Sequence, residues 1–177
     1  MPIKYNEFVQ EGIESIESFK KAQRIAVKLK TFLDRKDTET KIGVADVPCG
    51  LSRSIQAIIV PFAKENGFES EAKGKFKDYE CRNLRPDYFN SEIGILLEVE
   101  RGKTRMNNMD LLDIWKCHIC EHAKYLFLII PKARRHKPPK KPEKQYHLTY
   151  NRIETFFRKE NYVNVDAVFL FGYGIDS

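Results

Sequence analysis

Glu98 and Glu100 close a run of apolar, β-prone residues, Ile93, Ile95, Leu96, Leu97 and Val99. Such a near-continuous run predicts a central strand buried on both faces. Side chains alternate along a strand, so the two glutamates share a face, about 6.6 Å apart. Burying two carboxylates side by side is costly unless a cation or a hydrogen-bonded base compensates them. Asp87 follows Pro86 and precedes Glu98 by eleven positions, so two adjacent strands joined by a tight turn bring it beside Glu98. Two carboxylates and a main-chain carbonyl then offer oxygens to a hard cation such as Mg²⁺, with positions left for a phosphate oxygen and a water. The alternative is a strand end that reaches solvent, its acids paired with Arg101 and nearby lysines.

The elements that must position these residues follow from periodicity. Val9, Ile13, Ile16, Phe19, Ile25, Leu29 and Phe32, with Ala22 and Leu33 filling in, recur in steps of three and four, predicting one long amphipathic helix or two shorter ones over Phe8–Leu33. Asp34–Lys41 reads as a polar linker. Ser52 is the expected N-cap of a helix to about Asn66 that Gly67 stops and Pro61 kinks or delays. Strands are expected at Phe68–Ala72, Asn83–Asn90 and Ser91–Arg101. A helix then presents Leu111, Leu112, Trp115, Ile119 and His122 on one face, before a buried strand over Tyr125–Ile130. A short helix around Tyr150–Phe157 and a last strand over Val163–Phe171 complete the chain. Helix, three strands, helix, strand predicts an α/β fold, a small central mixed sheet flanked by helices.

In that setting, Arg85-Pro86-Asp87 followed by Glu98-Val99-Glu100-Arg101-Gly102-Lys103 resembles the PD-(D/E)xK nuclease superfamily. The acid-x-acid triplet resembles the variant of BamHI-like restriction endonucleases. The resemblance covers roughly residues 52–130 and implies a restriction-endonuclease-like αβββαβ core with an N-terminal helical extension. It implies that Asp87 and Glu98 bind Mg²⁺ or Mn²⁺, with the Val99 carbonyl as a third ligand and Glu71 loosely matching a further acid. Glu100 would orient or deprotonate the attacking water, and Lys103 or Arg101 would supply positive charge at the phosphate. Lys116 stands where related nucleases present a polar residue to the site; as a lone helical lysine it otherwise faces solvent. Asn107, Asn108 and Asp110 open the same helix, where backbone amides meet phosphate or the side chains simply cap.

Composition sets the wider frame. At 177 residues, 42% hydrophobic, the chain suits one domain: a helical extension over 1–41, a core over 52–130, a basic arm over 131–145 and a helix and strand over 146–177. The net charge is +6, and the segment Lys132–Lys144 carries seven lysines and arginines against one glutamate, so basicity is local. Its prolines exclude a helix or strand interior, making it an exposed arm: a solubilising loop, or phosphate contacts through Lys132, Arg134, Arg135, Lys137, Lys140 and Lys141. No apolar run approaches the roughly 18–20 residues of a membrane span. A polar start without an apolar leader, and four cysteines in a chain large enough to fold without staples, favour a reducing cytoplasm. Cys117, His118, Cys120 and His122 share one predicted helix; buried thiols and core histidines are favoured over zinc. No Gly-x-Ser-x-Gly elbow or Gly-Lys-Ser/Thr phosphate loop occurs, which disfavours serine hydrolases and ATPases. The resulting expectation is a metal-dependent deoxyribonuclease, a restriction or defence enzyme acting as a homodimer on DNA. The alternative is a nuclease-like protein that binds nucleic acid without cutting.

Overall fold

Three runs of β-branched and aromatic residues form the middle of the sheet: β4 (Ile95–Val99), β5 (Tyr125–Pro131) and β6 (Ala167–Tyr173), buried along their whole lengths. The computed structural model describes residues 2–48, 50–70, 85–101, 108–134 and 142–176. Around the centre lie β1 (Lys4–Val9), β2 (Glu69–Ser70) and β3 (Tyr88–Asn90), giving one six-stranded sheet in the order β1-β6-β5-β4-β3-β2. β4, β5 and β6 pair in parallel, while β1, β2 and β3 join antiparallel. The sheet is therefore mixed, and its buried parallel centre requires cover on both faces.

Helices supply that cover. On one face pack α1 (Glu17–Asp34), α2 (Lys36–Ala45) and α3 (Ser52–Glu65), meeting Ile95, Leu97, Val99, Phe127 and Phe169 through Phe19, Leu29, Ile42, Ile55 and Ile59. On the other, α4 (Met109–Ile119) and α5 (Gln145–Phe156) meet Leu96, Leu126, Leu128 and Leu170 through Ile114, Cys117, Tyr146 and Ile153. The strict alternation within β4 assigns Val99 to the first layer and Leu96 to the second. No described helix is long and apolar enough to cross a membrane.

The α/β class with a mixed sheet flanked by helices is as expected; its N-terminal part is not. The helix expected from Phe8 begins at Glu17, and Lys4–Val9 is a strand hydrogen-bonded along β6. An edge position on a sheet satisfies the backbone there as a helix would, and tertiary pairing overrides the local period. Asp34–Lys41 is mostly α2 rather than linker, with Lys41 lying 3.5 Å from Asp37 one turn away. The residue at the N-cap of α3 is Leu51, so Ser52 is its first helical residue, and the helix runs through Pro61. The stripe of α1 buries Phe19, Ala22, Ala26, Leu29 and Leu33 against the sheet.

Residues 91–94 form the tight turn between β3 and β4, with Tyr88 opposite Leu97 and Asn90 opposite Ile95. Gly94 has φ +81, and a Cβ on it would lie 2.7 Å from the His122 carbonyl oxygen. Gly94→Ala is therefore expected to cost about 2 kcal/mol, from the left-handed backbone and the backbone clash together. Urea denaturation measures it, and unchanged stability would contradict this account of the turn.

Candidate active site

The β3–β4 register carries Asp87, just before β3, to the level of Glu98. The Asp87 amide donates to Glu98 Oε2 at 3.3 Å, and the Val99 amide donates to Asp87 Oδ2 at 2.8 Å. Asp87 Oδ1 accepts from Gln56 Nε2 of α3 at 2.8 Å. α3 and β4 thus both hold the Asp87 carboxylate, and it and Glu98 are brought together as the spacing predicted. Glu100 continues the ladder, its amide donating to the Ile129 carbonyl at 2.8 Å, so it occupies the same side of β4 as Glu98.

From α4, Lys116 reaches the same place. Its Nζ donates to Glu98 Oε1 at 2.8 Å and to Asp113 Oδ1 at 2.9 Å. Glu98, Asp113 and Lys116 are 2%, 0% and 6% exposed, so Lys116 is turned into the acid cluster and not to solvent. Asp113 Oδ2 is buried and accepts no hydrogen bond. Burial works against the Lys116 ammonium, but Glu98 and Asp113 outweigh it and hold its pKa above the ordinary lysine value.

Four carboxylates, Asp87, Glu98, Glu100 and Asp113, sense one another around this one ammonium, and the cluster keeps protons that isolated acids would lose. Burial, then Asp113, pushes Glu98 well above the usual carboxylate range. Burial, then Asp113 and Asp87, raises Glu100 to about 8; burial raises Asp113 to about 6 in spite of Lys116. An acid whose pKa is higher folded than unfolded stabilises the fold at low pH and loses that contribution as pH rises. Stability without divalent metal is therefore expected to fall between about pH 4 and pH 8, by roughly 2 kcal/mol after solvent screening of Glu100. Urea denaturation at pH 5 and pH 8 checks this, with Glu100→Gln flattening the upper part. A curve that rises over that range would contradict it.

The other expected residues divide. Arg101 turns away from the acids: its guanidinium donates to the Val47 carbonyl, lies 3.8 Å from Asp46, and fills the space a Cβ on Gly50 would take. It ties the loop before α3 to the end of β4 and is not available to phosphate. Lys132 is buried, its Nζ donating to the Pro2 carbonyl and to Asp176, so it fastens the chain ends and is not part of a basic surface. Arg134 and Glu143 pair as an antiparallel bridge at the base of the arm. Asn108 sits at the N-cap of α4 with φ 53, and its Oδ1 accepts from Arg152 rather than from a helix amide. Asp110 is buried against Arg152, at 3.2 Å. Glu71, Lys103, Asn107, Arg135, Lys137, Lys140 and Lys141 lie outside the described residues.

Cys117 and Cys120 are buried free thiols. His118 is half-buried, with Nδ1 accepting from the Asn164 amide, and His122 is exposed, so neither is a core histidine. Sequence reasoning missed Gln56 and Asp113. Asp113 carried a signal: Asp110, Asp113 and Lys116 fall at three-residue spacing with Cys117 beside them, and this face, not that of Leu112 and Trp115, is buried.

Among the described residues, no group of three or more Asp, Glu, His or Cys side chains is arranged to hold a metal ion. The acids gather as expected, but around Lys116. The donor set nonetheless suits a hard cation: it is all oxygen, its carboxylates outnumber the ammonium set among them, and Asp113 Oδ2 is buried without a partner. Comparison with known proteins brings no match to this chain from family models, curated proteins or solved structures.

Proposed function

We propose that this chain is a divalent-metal-dependent nuclease with a restriction-endonuclease-like core, hydrolysing phosphodiester bonds in DNA. The observation that carries the reading is the convergence of Asp87 and Glu98 at adjoining strand ends, where the Asp87 amide donates to the Glu98 carboxylate and the Val99 amide to the Asp87 carboxylate. Asp87, Glu98 and the Val99 carbonyl would hold Mg²⁺ or Mn²⁺, which when bound polarises the phosphodiester and lowers the pKa of the attacking water. Gln56 and the Val99 amide orient Asp87. Glu100, on the same side of β4 as Glu98, would orient the attacking water or take its proton. Lys116 supplies the positive charge otherwise assigned to Lys103, within reach of the carboxylates, and can stabilise negative charge growing on phosphate. The arm beginning at Arg134 adds sequence-independent attraction to the backbone. Cutting both strands calls for two sites, so a homodimer belongs to this proposal.

A second reading rests on Lys116 itself. An ammonium closing on Glu98 and Asp113 neutralises part of the cluster without a metal, as in a nuclease-like fold that binds nucleic acid but does not cut. Incubating DNA with wild type and with Glu98→Ala, in Mg²⁺ and in Mn²⁺, separates the two. Divalent-dependent cleavage by wild type alone supports the nuclease. Binding without cleavage, with no uptake of metal by calorimetry, supports the second reading.

A further inference from the structure

Helix α4 has a second face that the acid cluster does not use. Leu112, Trp115 and His118, with Asn108 at the N-cap, line a cavity of about 370 Å³ that Phe156 and Tyr162 also line. That volume lies in the range of small-molecule sites, which pair apolar walls with a few fixed polar groups. Trp115 is 53% exposed and Tyr162 84% exposed, although large aromatics are ordinarily drawn inside. The His118 ring lies between them, 5.3 Å from Trp115 and 6.3 Å from Tyr162 between centroids.

The polar groups of the cavity are oriented by their other bonds. His118 Nδ1 accepts from the Asn164 amide at 2.9 Å, so the neutral ring carries its hydrogen on Nε2 and is a donor there. Asn108 Oδ1 accepts from Arg152 at 2.7 Å, which leaves the NH₂ group as the amide's remaining function, again a donor. Aromatic faces with two hydrogen-bond donors complement a flat ring that carries acceptors. Nucleobases have that character, with ring nitrogens and carbonyl oxygens at their edges. A lipid chain would make no use of either donor.

Position supports the same occupant. Arg152 bonds Asn108 with one nitrogen and Asp110 with the other, at 2.7 and 3.2 Å, linking the cavity to the helix face that carries Asp113 and Lys116. We propose that the cavity between α4 and α5 binds a nucleobase, an unpaired base of the nucleic acid whose backbone reaches the acid cluster. The placement rests on the nuclease reading; the chemistry of the cavity does not.

Trp115 is the chain's single tryptophan, so its fluorescence reports the cavity directly. Titrating the full chain with deoxyadenosine or thymidine is expected to quench it saturably, with half-effect at or below about 1 mM. Deoxyribose 5-phosphate should produce no such change. Tyr162→Ala removes an exposed side chain with little risk to the fold, and should weaken binding about 5- to 150-fold, the range of one base stack. Asn108→Gly keeps the left-handed N-cap, removes one donor and should also weaken it. Glu98→Gln should bind nucleosides as wild type does, so a failed hydrolase and a failed pocket give different results. Linear quenching without saturation, an equal response to the sugar phosphate, or unchanged affinity in Tyr162→Ala would overturn the proposal. So would uptake of an apolar dye by a protein that takes up neither nucleoside.

Discussion

Glu98→Gln is expected to lower divalent-dependent DNA cleavage at least about a thousandfold while leaving the protein as stable as wild type or more so. The first part follows if Glu98 is a ligand: its loss removes about 4 kcal/mol of transition-state stabilisation, at 1.36 kcal/mol per tenfold. The second follows from crowding. Glu98 shares its surroundings with Asp113 and Asp87, and the amide is isosteric, accepts from Lys116 through its oxygen and carries no charge. A structural salt bridge behaves differently, because losing one buried partner would then destabilise the fold. Cleavage rates should be measured beside urea denaturation on the same preparation. Full cleavage in the variant would remove the proposed function. Lost cleavage with a large loss of stability would reassign Glu98 to the fold.

The other large effect belongs to Lys116. Lys116→Met keeps most of the buried stem but leaves Glu98 and Asp113 facing each other without their ammonium. A broken buried pair costs about 3–5 kcal/mol, so the variant should be destabilised by that amount at pH 8. At pH 5, where the cluster is largely protonated, the loss should shrink to about 1 kcal/mol, because neutral carboxyls do not need a cation. Millimolar Mg²⁺ should restore part of the stability at pH 8, since a ligand that binds only the folded state stabilises it by mass action. Thermal denaturation at the two pH values, with and without Mg²⁺, decides the matter. An equal loss at both would assign Lys116 a packing role. No loss at all would mean that the ammonium does not compensate these acids.

Much of this was legible along the chain. β4 and β5 announce themselves through near-continuous apolar runs, because a strand covered on both faces has little polar side to show. The pairing of Asp87 with Glu98 is local as well, since a turn of four residues leaves the antiparallel register little freedom. Where contacts come from distant residues, the reading fails. Lys4–Val9 has no strand signature strong enough to resist a helical period, and its state is decided by the exposed edge of β6, more than 150 residues away.

The amino-acid sequence by itself determined the buried central strands of the sheet, the strand ends that carry Asp87, Glu98 and Glu100, and the concentration of positive charge near residue 140. It did so because side-chain period, turn length and charge are properties of neighbours in the chain. Only the tertiary structure decided which face of α4 turns inward. Both faces are partly apolar, and burying Asp113 and Lys116 is affordable solely because Glu98 meets them from β4. That choice left Trp115 outside and Lys116 among the acids; elsewhere, folding set Arg101 against the loop before α3 and Lys132 against Pro2 and Asp176. A cation's partner depends on which carboxylates and carbonyls folding brings within about 3–4 Å, and separation along the chain carries little of that information.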